Sequence, residues 1–386
     1  MPVHILVVDD EPQMERLIRQ RFRKRVKDGE LDFVFASNGQ EALDLIRDGR
    51  SFDVVFTDIN MPKMDGLTFI SKLQDVLPLQ KTVMISAYGD MKNIRTAMNM
   101  GAYDFIIKPI DFRDLEITLD KAIKEIEMLK LAESIRRRLD ALQKELLAAN
   151  EVQQSIIPTK FSIFSPQSPY ELFAKMIPAK EVGGDFYDFF KIDDHHLSLV
   201  IGDVSGKGMP ASLLMAVSRT LIRTIGLKER SCSECLEKVN YLLSLDNPSH
   251  LFVTLFYGLL NLNTGVLEYV NAGHNPLYVV NEEHEVRMLE YGVNVPLGMV
   301  EEGRFDAFNT RLAPGEALIM YTDGVTEAQN RSKEFYHERR LLEHLKNAGH
   351  QSACEMVKGL IREVTHFGED SPQSDDITLM VLKRKK

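Results

Sequence analysis

From Met1 to about residue 120 the apolar positions come in short β-branched runs: HILVVDD, DFVFAS, FDVVFTD, KTVMISA and DFIIKP. Between them lie segments whose apolar residues recur at helical spacing. This alternation predicts five strands, each followed by a helix, and hence a parallel sheet with helices on both faces. In such sheets a ligand sits beyond the carboxyl ends of the strands. Acidic residues occupy those ends: Asp9 and Asp10 after the first run, Asp58 after the third.

Between about 116 and 157 the pattern changes. The stretch EITLDKAIKEIEMLKLAESIRRRLDALQKELLAANEVQQSII contains no Gly or Pro, and Pro158 follows it. Ile135, Leu139, Leu142, Leu146 and Ala149 advance by alternating steps of four and three, which is heptad spacing, over about two heptads. An extended helical linker over 121–157 is expected. It either pairs with a second copy as a parallel coiled-coil homodimer or packs against its own domains.

Beyond Pro158, longer strand-like runs are punctuated by turn signals. DFYDFFKIDDHHLSLVIGDVSG predicts a hairpin turning near 193–196, and LFVTLFYGLLNLNTGVLEYVNAG another turning at 263–265. PASLLMAVSRTLIRTIG, ECLEKVNYLLSL, ERRLLEHLKN and SACEMVKGLIREVTHFG have helical period. Strands and helices without strict alternation indicate an α+β unit, with sheets flanked by helices.

The bulk numbers narrow the function. A chain of 386 residues exceeds one ordinary core, and the pattern divides it at 1–120, 121–157 and 158–386. A net charge of −10 argues against a nucleic-acid backbone as partner. The basic run 19–27 carries apolar Phe22 and Val26 and continues Leu17 and Ile18, so it reads as an amphipathic helix. Three cysteines make no disulfide framework, which points to a reducing compartment. Cys232 and Cys235 lack a second pair and read as small residues of a helix capped by Ser231. The apolar run 3–8 ends in Asp9–Asp10–Glu11, unlike a signal peptide, and no stretch is long enough to span a bilayer. A cytoplasmic protein without a membrane partner is expected.

Asp9, Asp10 and Asp58 would converge at one sheet edge. Three crowded carboxylates repel unless a hard cation such as magnesium sits among them. Lys108, before Pro109, supplies a positive charge there, and Ser86 a hydroxyl. With VVDDE, TDINMPKMDG, ISA and KP in place, residues 1 to about 120 resemble a response-regulator receiver domain, a flavodoxin-like, doubly wound five-stranded parallel sheet. The resemblance implies that Asp58 is the phosphoacceptor and Asp10 a direct magnesium ligand. It further implies that Asp9 assists, the Asn60 carbonyl adds a ligand, and Ser86 and Phe105 form a switch pair.

The second half scatters aspartates in Gly-rich turns: GGDFYD (Asp185, Asp188), GDVSGKG (Asp203), TDGVTEA (Asp323) and SDDITLMV (Asp375, Asp376). One Asp–Gly is only a turn signal. Four, each abutting an apolar run, suggest a site for hard cations, magnesium or manganese rather than zinc. With EVQQSIIP, PAKEVGGDFYDFF, GDVSGKGMPASLLMA, NAGHNP, TDGVTEA and SDDITLMV in this order, residues 150–386 resemble the SpoIIE/RsbU branch of the PPM-type serine/threonine phosphatases. The resemblance implies an αββα sandwich with two metal ions in a cleft. Asp203 would bridge the metals and the Val204 carbonyl would add a ligand. Asp323 and Asp375 would complete one sphere and Asp185 would serve the other, leaving Asp188 and Asp376 as weaker candidates.

Lys180 either neutralises a phosphate oxygen or is a solvated lysine. His274 reads as part of a structural turn rather than a general acid, and His195 and His196 as hairpin-tip residues. GGDF at 183–186 invites a diguanylate-cyclase reading, which fails because Phe186 stands where that chemistry wants an acid. The expected function is a two-component response regulator whose output is metal-dependent dephosphorylation of phosphoserine or phosphothreonine, controlled at Asp58. The resemblance implies a STAS-type anti-sigma-factor antagonist as substrate and a sensor histidine kinase or phosphotransfer protein upstream. The alternative is a non-catalytic adaptor that delivers a client protein. A DNA-binding regulator lacks a basic or helix-turn-helix output segment.

Overall fold

Each β-branched run of the first third becomes a strand in the computed structural model. The strands are β1 (Val3–Val8), β2 (Leu31–Ala36), β3 (Val54–Asp58), β4 (Lys81–Ser86) and β5 (Asp104–Ile107). Between them lie α1 (Pro12–Arg21), α2 (Arg23–Lys27), α3 (Gly39–Arg47), α4 (Gly66–Leu73) and α5 (Met91–Asn99). The structure describes residues 2–386 except 74–79, 88–90, 162, 166, 246, 248 and 370. The chain divides into two compact units, 1–142 and 143–386.

In the first unit all five strands pair in parallel in the order β2-β1-β3-β4-β5. The order reverses between β1 and β3, which places a crevice at the carboxyl ends of those two strands. One face buries Ile5, Val7 and Phe56 against Ile18, Leu115 and Leu119. The other buries Leu6, Val8 and Val55 against Leu43 and Phe69. Side chains alternate along each strand, so near-continuous apolar runs are what a sheet covered on both faces requires.

The helix after β5 begins ahead of the expected linker and runs on through it. It is one helix of 45 residues, α6 (Phe112–Ile156). Ala122 and Ile126, beyond residue 120, are still buried in the first unit's core. Without Gly or Pro to end it, the last helix of the first unit continues into the linker. The heptad positions Ile135, Leu139 and Leu142 are half or more exposed.

The second unit contains β6 (Tyr170–Ile177), β7 (Phe186–Lys191), β8 (His196–Val204), α7 (Met209–Gly226) and α8 (Cys232–Leu245). Then come β9 (Val253–Asn261), β10 (Val266–Ala272), β11 (Tyr278–Val280), β12 (Val286–Met288), β13 (Phe308–Arg311) and β14 (Ala317–Tyr321). It closes with α9 (His337–Ala348), α10 (Ala353–Phe367) and β15 (Ile377–Arg384). Both expected hairpins form, β7–β8 and β9–β10. Gly265 takes φ +78 in the second turn, where a side chain would be strained.

Two antiparallel five-stranded sheets result, ordered β13-β10-β9-β8-β7 and β12-β11-β14-β15-β6. Tyr187, Phe189, Leu199, Ile201 and Phe256 of one meet Leu172, Leu318, Met320 and Met380 of the other in a shared core. The outer face of the first sheet is covered by α7 and α8, through Met215, Ile222, Leu236 and Val239. The outer face of the second is covered by α9 and α10, through Leu341, Leu345, Val357 and Leu360. This is the expected αββα sandwich. Among the described residues no helix is long and apolar enough to cross a membrane.

Candidate functional sites

At the carboxyl edge of the parallel sheet, oxygens of Asp9, Asp10 and Asp58 lie within 4.8 Å of one another. Lys108, just past β5, reaches across with Nζ at 2.7 Å from Asp58, 2.9 Å from Asp9 and 3.2 Å from Glu11. Burial would lower the proton affinity of this amine, but its hydrogen bonds to Asp58 and Asp9 outweigh that, so its pKa is raised. Burial pushes Asp9 up from the usual carboxylate range, with Lys108 opposing. Gly66 is required here, since a Cβ would stand 2.0 Å from the Asp58 carbonyl oxygen. The Asn60 N–H donates to Asp58 Oδ1 at 3.3 Å. Ser86 ends β4, and Phe105 pairs with Met84 on the neighbouring strand, so Ser86 and Phe105 share a face two positions apart. Ser86 is buried and Phe105 half-buried.

In the second unit, strand register brings the acids together. Phe186 pairs with Gly202, so one step further Asp185 stands opposite Asp203. Tyr321 pairs with Leu379, so the turn carrying Asp323 meets the one carrying Asp375 and Asp376. A side chain on Gly324 would collide with the Asp376 carbonyl oxygen at 1.9 Å, and one on Gly184 would approach the Val204 carbonyl oxygen at 2.9 Å. The two sheets are joined at this edge by Thr322, whose hydroxyl donates to Asp185 Oδ2 at 2.7 Å and accepts the Thr378 N–H at 3.0 Å.

The electrostatics report the crowding. Burial, then Asp203 and Asp376, hold the Asp185 carboxyl well above its ordinary range. Asp203 is pushed up to about 7 by burial, Asp323 and Asp375. Asp323 is pushed up to about 6 by burial, Glu327 and Asp375. A cluster of oxygen donors that retains protons this strongly is a site lacking positive charge, and hard divalent cations fit it. A small cleft beside it is lined by Lys180, Lys207, Asp203, Asp375 and Asp376.

Sequence reasoning missed Lys207. Its Nζ lies 2.7 Å from Asp375 and 2.7 Å from the Ser374 carbonyl oxygen. It sits in the quoted GDVSGKG turn, but only the fold shows that it faces Asp375. Thr322 and Gln153 were missed likewise. Asp376 accepts the N–H groups of Ala179 and Gly184, both at 2.8 Å, so it shapes the loop leading to Asp185.

Asp188, weighed above as a metal ligand, is instead engaged by Arg219 at 3.1 Å and Arg223 at 2.7 Å. It shares a strand face with Phe186 and Phe190, the face covered by α7. His274 is buried, with Nε2 against the Tyr321 carbonyl at 3.1 Å and Nδ1 against the Thr254 hydroxyl at 3.0 Å. Burial lowers it to about 4. Nε2 must then carry the proton, and both ring nitrogens serve structure. Cys232 and Cys235 are buried in the core under α8.

Two family profiles match the chain. One, described as Response regulator receiver domain, covers residues 5–120. The other, described as Stage II sporulation protein E (SpoIIE), covers residues 193–385. The chain is 31% identical over 267 residues to Protein IcfG of Synechocystis sp., across 62% of this chain and 41% of that protein. It therefore spans less than half of IcfG. It is 28% identical over 254 residues to Phosphoserine phosphatase RsbU of Bacillus subtilis, across 66% of this chain and 74% of that protein. The SiaA-PP2C domain of Pseudomonas aeruginosa superposes with a TM-score of 0.57 at 21% identity, covering 64% of this chain and 99% of that one. At that identity the likeness speaks for the fold alone.

Proposed function

The chain belongs to the SpoIIE family of PPM-type phosphatases and carries a response-regulator receiver domain ahead of that fold, and from this we propose a phosphorylation-controlled protein phosphatase. The observation that carries the reading is the convergence of Asp185, Asp203, Asp323 and Asp375 at facing sheet ends, where burial and the neighbouring carboxylates raise the proton affinities of Asp185, Asp203 and Asp323. An adaptor would have no need of that set.

PPM phosphatases are metal-dependent. Asp185, Asp203, Asp323, Asp375 and the Val204 carbonyl would hold two or more Mn²⁺ or Mg²⁺ ions, whose chemistry is charge neutralisation and activation of water toward a phosphate ester. Thr322 fixes the orientation of the Asp185 carboxylate. Lys207 and Lys180 at the cleft offer point charges to phosphate oxygens. The substrate is phosphoserine or phosphothreonine on a STAS-type anti-sigma-factor antagonist. The receiver takes a phosphoryl group on Asp58 from a sensor histidine kinase or phosphotransfer protein; Asp9, Asp10, Asp58 and the Asn60 carbonyl would hold Mg²⁺, whose chemistry there is charge neutralisation. Lys108 neutralises the transferring oxygens, and Ser86 and Phe105 respond. Phosphorylation regulates only by stabilising one arrangement of α6, or of a dimer through it, over another.

The test is a manganese-dependent assay against phosphorylated STAS proteins of the same genome, with and without acetyl phosphate. Turnover should require the cation and rise on phosphorylation of wild type, but not of Asp58→Asn. No turnover with any phosphoprotein would sink the catalytic reading, and equal turnover by wild type and Asp58→Asn would sink the control.

A further inference from the structure

The last turn of α6 holds a buried polar side chain that the scheme above leaves without a role. Gln153 is 5% exposed. Both ends of its amide engage one residue: Nε2 donates to the Gly183 carbonyl oxygen at 2.7 Å, and the Gly183 N–H donates to Oε1 at 3.2 Å. One turn earlier on the same helix face, Asn150 donates to the Glu181 carbonyl oxygen. Ile156 and Ile157 anchor this end of the helix in the cores on either side of the β7–β8 sheet.

The loop seized in this way leads directly to Asp185. Its other side is held by Asp376, which accepts the N–H groups of Ala179 and Gly184. A Cβ on Gly183 would lie 2.0 Å from an Asp376 carboxylate oxygen, so the loop is pressed between α6 and Asp376 with no side chain to spare. A buried amide matched at both ends tolerates little displacement. Sliding the helix by one residue, about 1.5 Å, would break both bonds and leave buried polar groups unpaired.

We propose that Gln153 is a positioning residue that clips the end of the linker helix to the Asp185 loop, so that the setting of α6 governs how tightly the cleft holds its cations. This rests on the phosphatase reading, which locates the cation site at Asp185, and adds the route by which the helix reaches it.

The experiment is calorimetric titration of Mn²⁺ into the metal-free full chain, with and without acetyl phosphate. Wild type is compared with Gln153→Ala, Gln153→Glu and the same-turn control Ser155→Ala, with melting temperatures and p-nitrophenyl phosphate turnover alongside. Gln153→Ala should weaken Mn²⁺ binding by about 10- to 100-fold, the usual effect of losing a group that orients a ligand. Saturating Mn²⁺ should restore kcat to within a few-fold, and Ser155→Ala should match wild type. Acetyl phosphate should shift wild-type affinity and leave Gln153→Ala unmoved. Gln153→Glu keeps the acceptor and loses the donor, so it should weaken binding even if the alanine variant fails to fold. Unchanged Mn²⁺ affinity in a folded Gln153 variant would overturn the proposal, as would a phosphorylation response that survives in it. Wild type that binds Mn²⁺ without turnover would instead count against the phosphatase reading, leaving the clip to be judged by affinity.

Discussion

Asp203 shows how a residue becomes chemistry through its surroundings. In solution its carboxyl would be ionised at neutral pH. Here burial, Asp323 and Asp375 raise it to about 7, and Asp323 itself lies at about 6. The consequence for stability has a definite sign. The folded, cation-free chain retains protons that the unfolded chain has lost, so this contribution is full below about pH 4 and disappears as pH rises through 6 to 7. Cations compete with those protons, so Mn²⁺ affinity should climb over the same interval and binding should release protons. In EDTA the melting temperature of wild type should fall from pH 5 to 7.5 more steeply than that of Asp203→Asn. Added Mn²⁺ should raise it more at pH 8 than at pH 5. Parallel slopes for the two proteins would show that Asp203 does not carry the effect.

At the scale of elements, the second unit depends on strand ends delivering acids and on helices holding strands in place. Asp188 does the second task, joining β7 to α7 through Arg219 and Arg223. Asp188→Ala would leave Arg219 largely buried without its partner, and breaking such a pair costs about 3 kcal/mol, the low end because Arg223 is part-solvated. Replacing Asp188 and Arg219 together by Leu and Met should cost much less, which chemical denaturation of the single and double variants would show. The sequence left Asp188 among the weaker metal candidates, although its spacing carried the signal against that reading. Asp188 alternates in step with Phe186 and Phe190, whereas Asp185 is out of step and precedes the strand. The strands, the hairpins and the acids at strand ends were legible, because each is written in local periodicity and turn chemistry. Lys207 facing Asp375, Thr322 facing Asp185 and Gln153 facing Gly183 were not, since each pair is separated by 30 to 168 residues. Nor was the point within α6 where the first core ends and the linker begins legible, because a helix continuing from one domain into a linker leaves no stop signal.

For the whole molecule the decisive feature is that α6 runs unbroken from the receiver core to the loop before Asp185. Leu115 and Leu119 bury its start in one unit, and Ile156 and Ile157 bury its end in the other. Between them, Ile135, Leu139 and Leu142 stay 51%, 60% and 50% exposed. Three large aliphatic side chains in heptad register, each only about half exposed, forgo roughly 1 kcal/mol each if they remain in water. A parallel pair of α6 helices would recover part of that and give the Asp58 signal two arrangements to choose between. Leu139→Glu places like charges across such a seam without touching either unit's core. If the pair forms, wild type should sediment as a dimer at micromolar concentration and Leu139→Glu as a monomer. The variant should keep Mn²⁺-dependent turnover while losing its response to acetyl phosphate. Wild type sedimenting as a monomer would remove the dimer from the mechanism and leave the signal to travel within one chain, along the helix alone.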